Sequence, residues 1–189
     1  THMEHHANLV PWQELALKTG AVIKVIPITL EGRLDVSQID TLIGSKTKLV
    51  SFVHQSNILG TINPIELLIQ RAKKVGAFTL LDACQSVPHL GVDFNSLDVD
   101  FAAFSGHKML GPLGLGVLFM KEPDTAPVFL TGGSMIETVT IEASTYAKSP
   151  QRFEAGTQAA AEVVGLAAAV DYIQAIGVDE IHRHEQALT

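Results

Sequence analysis

Short runs of consecutive apolar residues, many of them β-branched, alternate along this chain with stretches whose apolar positions recur every three or four residues. The first kind predicts buried strands at Ala21–Ile28, Thr47–His54, Ala77–Asp82, Asp98–Ser105 and Leu115–Met120. The second predicts helices at Leu9–Lys18, Asp35–Ile43, Ile65–Val75 and Gln158–Ile176. The punctuation agrees. Pro11 and Pro64 stand at helix starts, Asp35 is placed as an N-cap, and Gly20, Gly76 and Gly177 close helical stretches. Within Gln158–Ile176, the residues Val163, Leu166, Val170, Ile173 and Ile176 fall at helical spacing, which predicts a core-facing helix. Ala126–Pro150 is less regular and reads as a loop or small excursion around Gly132-Gly133. Strands that are nearly continuous apolar runs and alternate with helices mean βαβ units. The expected fold class is therefore α/β, a mostly parallel sheet flanked by helices.

Composition narrows the picture. Of the 189 residues, 47% are apolar and 17% charged, which suits one domain with a substantial core and excludes disorder. The net charge is −7 and the 13 Lys and Arg are scattered, so no basic patch points to nucleic acid. No apolar run reaches bilayer length and no signal-peptide pattern opens the chain, so no membrane partner is expected. Cys84 is the only cysteine, which excludes an internal disulfide framework and fits a reducing, cytoplasmic or organelle-matrix setting. The helical-looking Asp179–Thr189 ends without a cap, and the chain reads as a fragment with exposed apolar surface.

In a parallel sheet, ligands sit outside the carboxyl ends of the strands. The residues there are His54-Gln55-Ser56-Asn57, Asp82-Ala83-Cys84-Gln85 and Ser105-Gly106-His107-Lys108. Taken alone, Ser105–Lys108 suits an ordinary surface turn and Asp82 an ordinary turn aspartate. Together they supply a lysine able to form a Schiff base and a carboxylate able to keep a pyridine nitrogen protonated, the pair that pyridoxal phosphate needs. Cys84 follows an apolar strand and has no cation evidently placed to activate it, so it reads as a small buried residue. His5 and His6 lack a third ligand at a recognisable spacing, so no metal site is expected.

Several segments carry a family resemblance. Glu4-His5-His6-Ala7-Asn8 with Pro11-Trp12-Gln13, Ser56–Thr61 and Asp82–Gln85 resemble the class V aminotransferase superfamily. Ser105–Lys108, with Gly111-Pro112, Gly114 and Gly116, and Arg152–Thr157 sharpen the resemblance to SufS-type cysteine desulfurases. It runs in order over essentially the whole chain and implies the large domain of a fold-type I pyridoxal phosphate enzyme. It also implies a homodimer that takes sulfur from L-cysteine and passes it, through an enzyme persulfide, to a sulfur-acceptor protein for iron–sulfur cluster assembly. By the same resemblance Lys108 is the Schiff-base lysine and proton shuttle, Asp82 pairs with the pyridine nitrogen, and Gln85 bonds the ring oxygen. His5 stacks on the ring and assists proton transfer, and Asn57 lies near the ring oxygen and the substrate carboxylate. Ser105 and His107 hold the phosphate, and Thr157 reaches the phosphate of a neighbouring subunit. Family chains are about twice as long. The segment before His5 and a C-terminal small domain, which carries the sulfur-accepting cysteine, are expected to lie outside these residues, leaving the fragment inactive. The alternatives are a selenocysteine lyase or another class V lyase, and a non-catalytic module that binds cofactor or a partner.

Overall fold

A computed structural model describes all 189 residues. Its centre is a four-stranded sheet of β1 (Leu49–Val53), β2 (Phe78–Asp82), β3 (Phe101–Ser105) and β4 (Gly116–Met120), in that spatial order. β1, β2 and β3 are parallel, and β4 returns antiparallel to β3. The register sets Val53 beside Asp82 and Asp82 beside Ala103, so the carboxyl ends of the three parallel strands form one edge.

The crossover from β1 to β2 shows why the sequence folds this way. In the helix Ile65–Lys74, the residues Ile65, Leu68, Ile69 and Ala72 are all buried, one face at i, i+3, i+4 and i+7. They join Phe52, Leu81 and Ala102 in the main core. Fully burying each of the larger side chains stabilises the fold by about 1.5–3 kcal/mol. The opposite face carries Glu66, Gln70 and Lys73, all exposed. Chain order makes this helix α3, after α1 (Val10–Thr19) and α2 (Ile39–Leu42). It is followed by α4 (Phe94–Leu97), α5 (Ala160–Ile176) and α6 (Val178–Leu188). No single helix is long and apolar enough to cross a membrane.

Three expectations are corrected. Ala21–Ile28 is not a strand: its ordered pairing is one bridge, Ile28 to Leu34, and one bond from His2 N–H to Ile26 O at 3.0 Å. A β-branched run becomes a strand only beside a ladder, and the free side of β1 is met by the Thr1–Asn8 segment, where Val53 N–H donates to Glu4 Oε1 at 3.1 Å. Asp35 does not cap a helix. It accepts from Ser37 N–H at 3.0 Å in a local turn, and α2 starts only after Gln38. α5 does form, but Val163 and Ile176 are exposed on it, and its buried residues are Ala169 and Ile173. The face that matters presses elsewhere: a Cβ at Gly165 would meet Pro112 Cγ at 2.6 Å, so this helix lies against the loop after β3.

Ala126–Pro150 contains an exposed two-stranded hairpin of β5 (Ile136–Val139) and β6 (Ser144–Tyr146). Large apolar side chains stand free, among them Leu30, Phe129 and Ile141 at 90% exposure or more.

Candidate active site

Each parallel strand ends by handing polar groups to the same edge. Asp82, the last residue of β2, is 9% exposed, and its Oδ1 accepts from Cys84 N–H at 3.0 Å. Its carbonyl accepts from His54 N–H at 2.9 Å, and Ala83 N–H donates to Ala103 O at 2.9 Å, so the strand ends stay paired up to the point of departure. Gln85, in the turn that follows, is half-buried.

β3 ends at Ser105 and passes into a tight 3-10 turn, Gly106–Met109, which holds His107 and Lys108. Lys108 is half-buried and His107 exposed. The turn is closed at its base, where Leu110 N–H and Gly111 N–H both donate to Gly106 O, the latter at 3.0 Å. Gly106 sits in close packing, since a Cβ there would lie 3.1 Å from Leu115 O.

A side-chain contact also joins the two strand ends. Cys84 Sγ lies 3.6 Å from Ser105 Oγ. Burial pushes the Cys84 thiol above its ordinary value; the Ser105 hydrogen bond opposes this, the Asp82 carboxylate adds to it, and Lys108 opposes it least. A thiol held protonated is a poor nucleophile, in line with the reading from sequence.

The structure thus brings Asp82, Gln85, Ser105 and Lys108 to neighbouring strand ends. His5, exposed, follows the Glu4 whose side chain binds Val53 N–H at the end of β1. Asn57 is exposed in the loop after β1, and Thr157 is exposed before α5. His5 and His6 form an exposed pair with ring centroids 6.0 Å apart, and no group of three candidate ligands gathers to hold a metal ion.

Two groups at the end of β1 escaped the sequence reading of roles. His54 Nδ1 and Gln55 Oε1 are buried without a hydrogen-bond partner. Their position as the first polar residues after a buried strand could have singled them out. Burial lowers the His54 imidazole below its ordinary value, with Glu66 opposing by less. Folded protein therefore resists a proton that the unfolded chain accepts below about pH 6.5. Stability should accordingly fall as pH drops from about 7.5 to about 5.5, and less steeply in His54→Asn. Urea midpoints at several pH values check this, and equal slopes in both proteins would exclude His54 as the source.

The class V aminotransferase family matches residues 1–189, the whole chain. The chain belongs to the class V aminotransferase family. A probable cysteine desulfurase of Streptomyces coelicolor is 54% identical over 191 residues, spanning 100% of this chain and 46% of that protein. Among solved structures, the apo cysteine desulfurase of Thermococcus onnurineus superposes with a TM-score of 0.93 at 42% identity, covering 98% of this chain and 47% of that one. The cysteine desulfurase CsdA of Escherichia coli gives a TM-score of 0.90 at 34% identity, covering 94% and 45%. The chain spans about half the length of the relatives it matches, and the α/β, mostly parallel architecture is theirs.

Proposed function

We propose that this class V aminotransferase chain is the central, cofactor-bearing part of a pyridoxal phosphate-dependent cysteine desulfurase. The observation that carries the reading is the meeting of a nearly buried carboxylate, Asp82, with the Ser105–Lys108 turn across the Cys84–Ser105 contact. The donor set fits the cofactor group by group. Asp82 suits the pyridine nitrogen, Gln85 and Asn57 the ring oxygen, and Ser105 and His107 the phosphate, with Thr157 serving a partner subunit's phosphate. Lys108 is the amine for the aldehyde, and His5 covers the ring. The unpartnered Gln55 Oε1 and His54 Nδ1 leave polar capacity at the same edge. When bound, pyridoxal phosphate supplies an electron sink for a carbanion at the substrate's α-carbon.

The chain's own residues then divide the work. Asp82, fixed by Cys84 N–H, offers a negative charge that cannot swing away. Lys108 Nζ is the base that moves a proton at the α-carbon of L-cysteine, and the packing of α5 on the lysine loop keeps it in place. Cys84 does not take the sulfur, because burial holds its thiol protonated. Release of alanine from L-cysteine therefore draws on a cysteine outside these residues. In this reading a homodimer delivers sulfur to an acceptor protein for iron–sulfur cluster assembly. The relatives named as cysteine desulfurases support this reading over other class V lyases.

Titration with pyridoxal phosphate tests the core of the proposal. A visible absorbance band should grow with the wild-type protein and be absent in Lys108→Ala. No band in the wild type, or an undiminished band in Lys108→Ala, would sink it.

A further inference from the structure

A side chain does the work of a missing strand where the chain enters the site. β1 has β2 as its one ladder partner, and on its free side Val53 N–H donates to Glu4 Oε1 at 3.1 Å. The Glu4 side chain is 4% exposed, and its Oε1 also accepts from the Thr1 ammonium at 3.1 Å and from Thr1 Oγ1 at 2.6 Å. Its Oε2 accepts from Asn8 Nδ2 at 2.7 Å. Asn8, 7% exposed, uses its Oδ1 twice, accepting from Trp12 Nε1 at 3.0 Å and from Ser51 Oγ at 2.6 Å. An indole N–H can only donate, so the orientation of the Asn8 amide is determined. β1 and α1 are thereby fastened together through two buried side chains, with His5 between them in the chain.

The arrangement bears on His5 in two ways. Val53 is the register partner of Asp82, so the clasp is referenced to the strand end that holds the site carboxylate. His5 Nδ1 accepts from Ala7 N–H at 3.1 Å, so the neutral ring carries its proton on Nε2 and presents that nitrogen outward. An apolar residue at position 4 would cover the β1 edge without desolvating a carboxylate, but could not accept from Val53 and Asn8 together.

We propose that Glu4 and Asn8 are positioning residues, which set where the His5 imidazole stands relative to Asp82 and Lys108. They act through buried hydrogen bonds and do not touch the cofactor. The proposal rests on the reading above in which His5 meets the cofactor ring.

Glu4→Gln separates positioning from mere packing. It keeps the size and an oxygen for Val53 N–H but sets an NH₂ group against that of Asn8, so the clasp opens or the Asn8 amide turns. Two measurements follow. Without cofactor, the ¹⁵N resonances of the His5 ring should shift in Glu4→Gln. Pyridoxal phosphate affinity should fall about tenfold in Glu4→Gln, the scale of one lost hydrogen bond to a charged group, and less than about twofold when His5→Ala is already present. An equal loss with and without His5 shows that the clasp serves the fold alone and overturns the proposal, as do unmoved His5 resonances. Wild-type protein that takes up no pyridoxal phosphate counts against the cofactor reading instead, and the ring resonances then decide this proposal by themselves. If Glu4→Gln does not fold, Trp12→Phe removes the indole donor with part of the ring area and should shift the same resonances by less.

Discussion

Gly111→Ala should destabilise the protein by about 2 kcal/mol and weaken pyridoxal phosphate binding with it. A Cβ at position 111 falls 2.8 Å from Gly106 O and 2.8 Å from Leu166 Cδ1. The leucine can turn aside. The carbonyl cannot, because it accepts from both Leu110 N–H and Gly111 N–H and closes the turn that carries Lys108. Those bonds hold Leu110 at φ 61°, a left-handed conformation that costs a leucine about 1–2 kcal/mol. Pushing Gly106 O away removes the support and leaves the strain. Urea unfolding should show a lower midpoint with an unchanged slope, and the affinity loss should persist where the variant is fully folded. Gly133→Ala is the control, since nothing lies within 4 Å of its added methyl and its φ is ordinary. It should change stability by no more than about 0.5 kcal/mol. If Gly111→Ala behaves like this control, the turn is not held as described.

The sheet was legible because β1, β2 and β3 are largely covered by other elements and so read as nearly continuous apolar runs, while glycine or proline marks a start or stop of the longer helices. Ala21–Ile28 looks the same as text but lacks a neighbour; strand formation belongs to a pair, and no single segment encodes its partner. Asp35 misled for a related reason, since one carboxylate can close a local turn as readily as it can cap a helix. For α5 the helix formed, but the spacing of Val163, Leu166, Val170, Ile173 and Ile176 does not say which of them find cover, or whether that cover is the sheet or the lysine loop. The strand-end candidates Asp82, Ser105 and Lys108 were legible because parallel topology sends the chain ends to one edge. The role of Glu4 was not, because it depends on Val53, far away in sequence, and neither was the contact of Cys84 with Ser105.

Asp82→Asn should lower pyridoxal phosphate affinity roughly 30- to 150-fold, equivalent to about 2–3 kcal/mol for removing one partner of a buried charge pair. The substitution is chosen because it preserves shape. The asparagine oxygen can still accept from Cys84 N–H, and backbone pairing with His54 is untouched, so the fold has little reason to change. Stability should hold or rise slightly, since a nearly buried carboxylate no longer has to be desolvated. What is lost is the charge that favours a protonated ring nitrogen, so cofactor-dependent turnover should fall further than binding. Asp82→Ala would remove charge and turn anchor together and should lose stability as well. Affinity measured by absorbance titration, beside the thermal midpoint of each protein, distinguishes the outcomes. Unchanged affinity in Asp82→Asn with an intact fold would mean that this carboxylate serves the turn at Cys84 and not the cofactor.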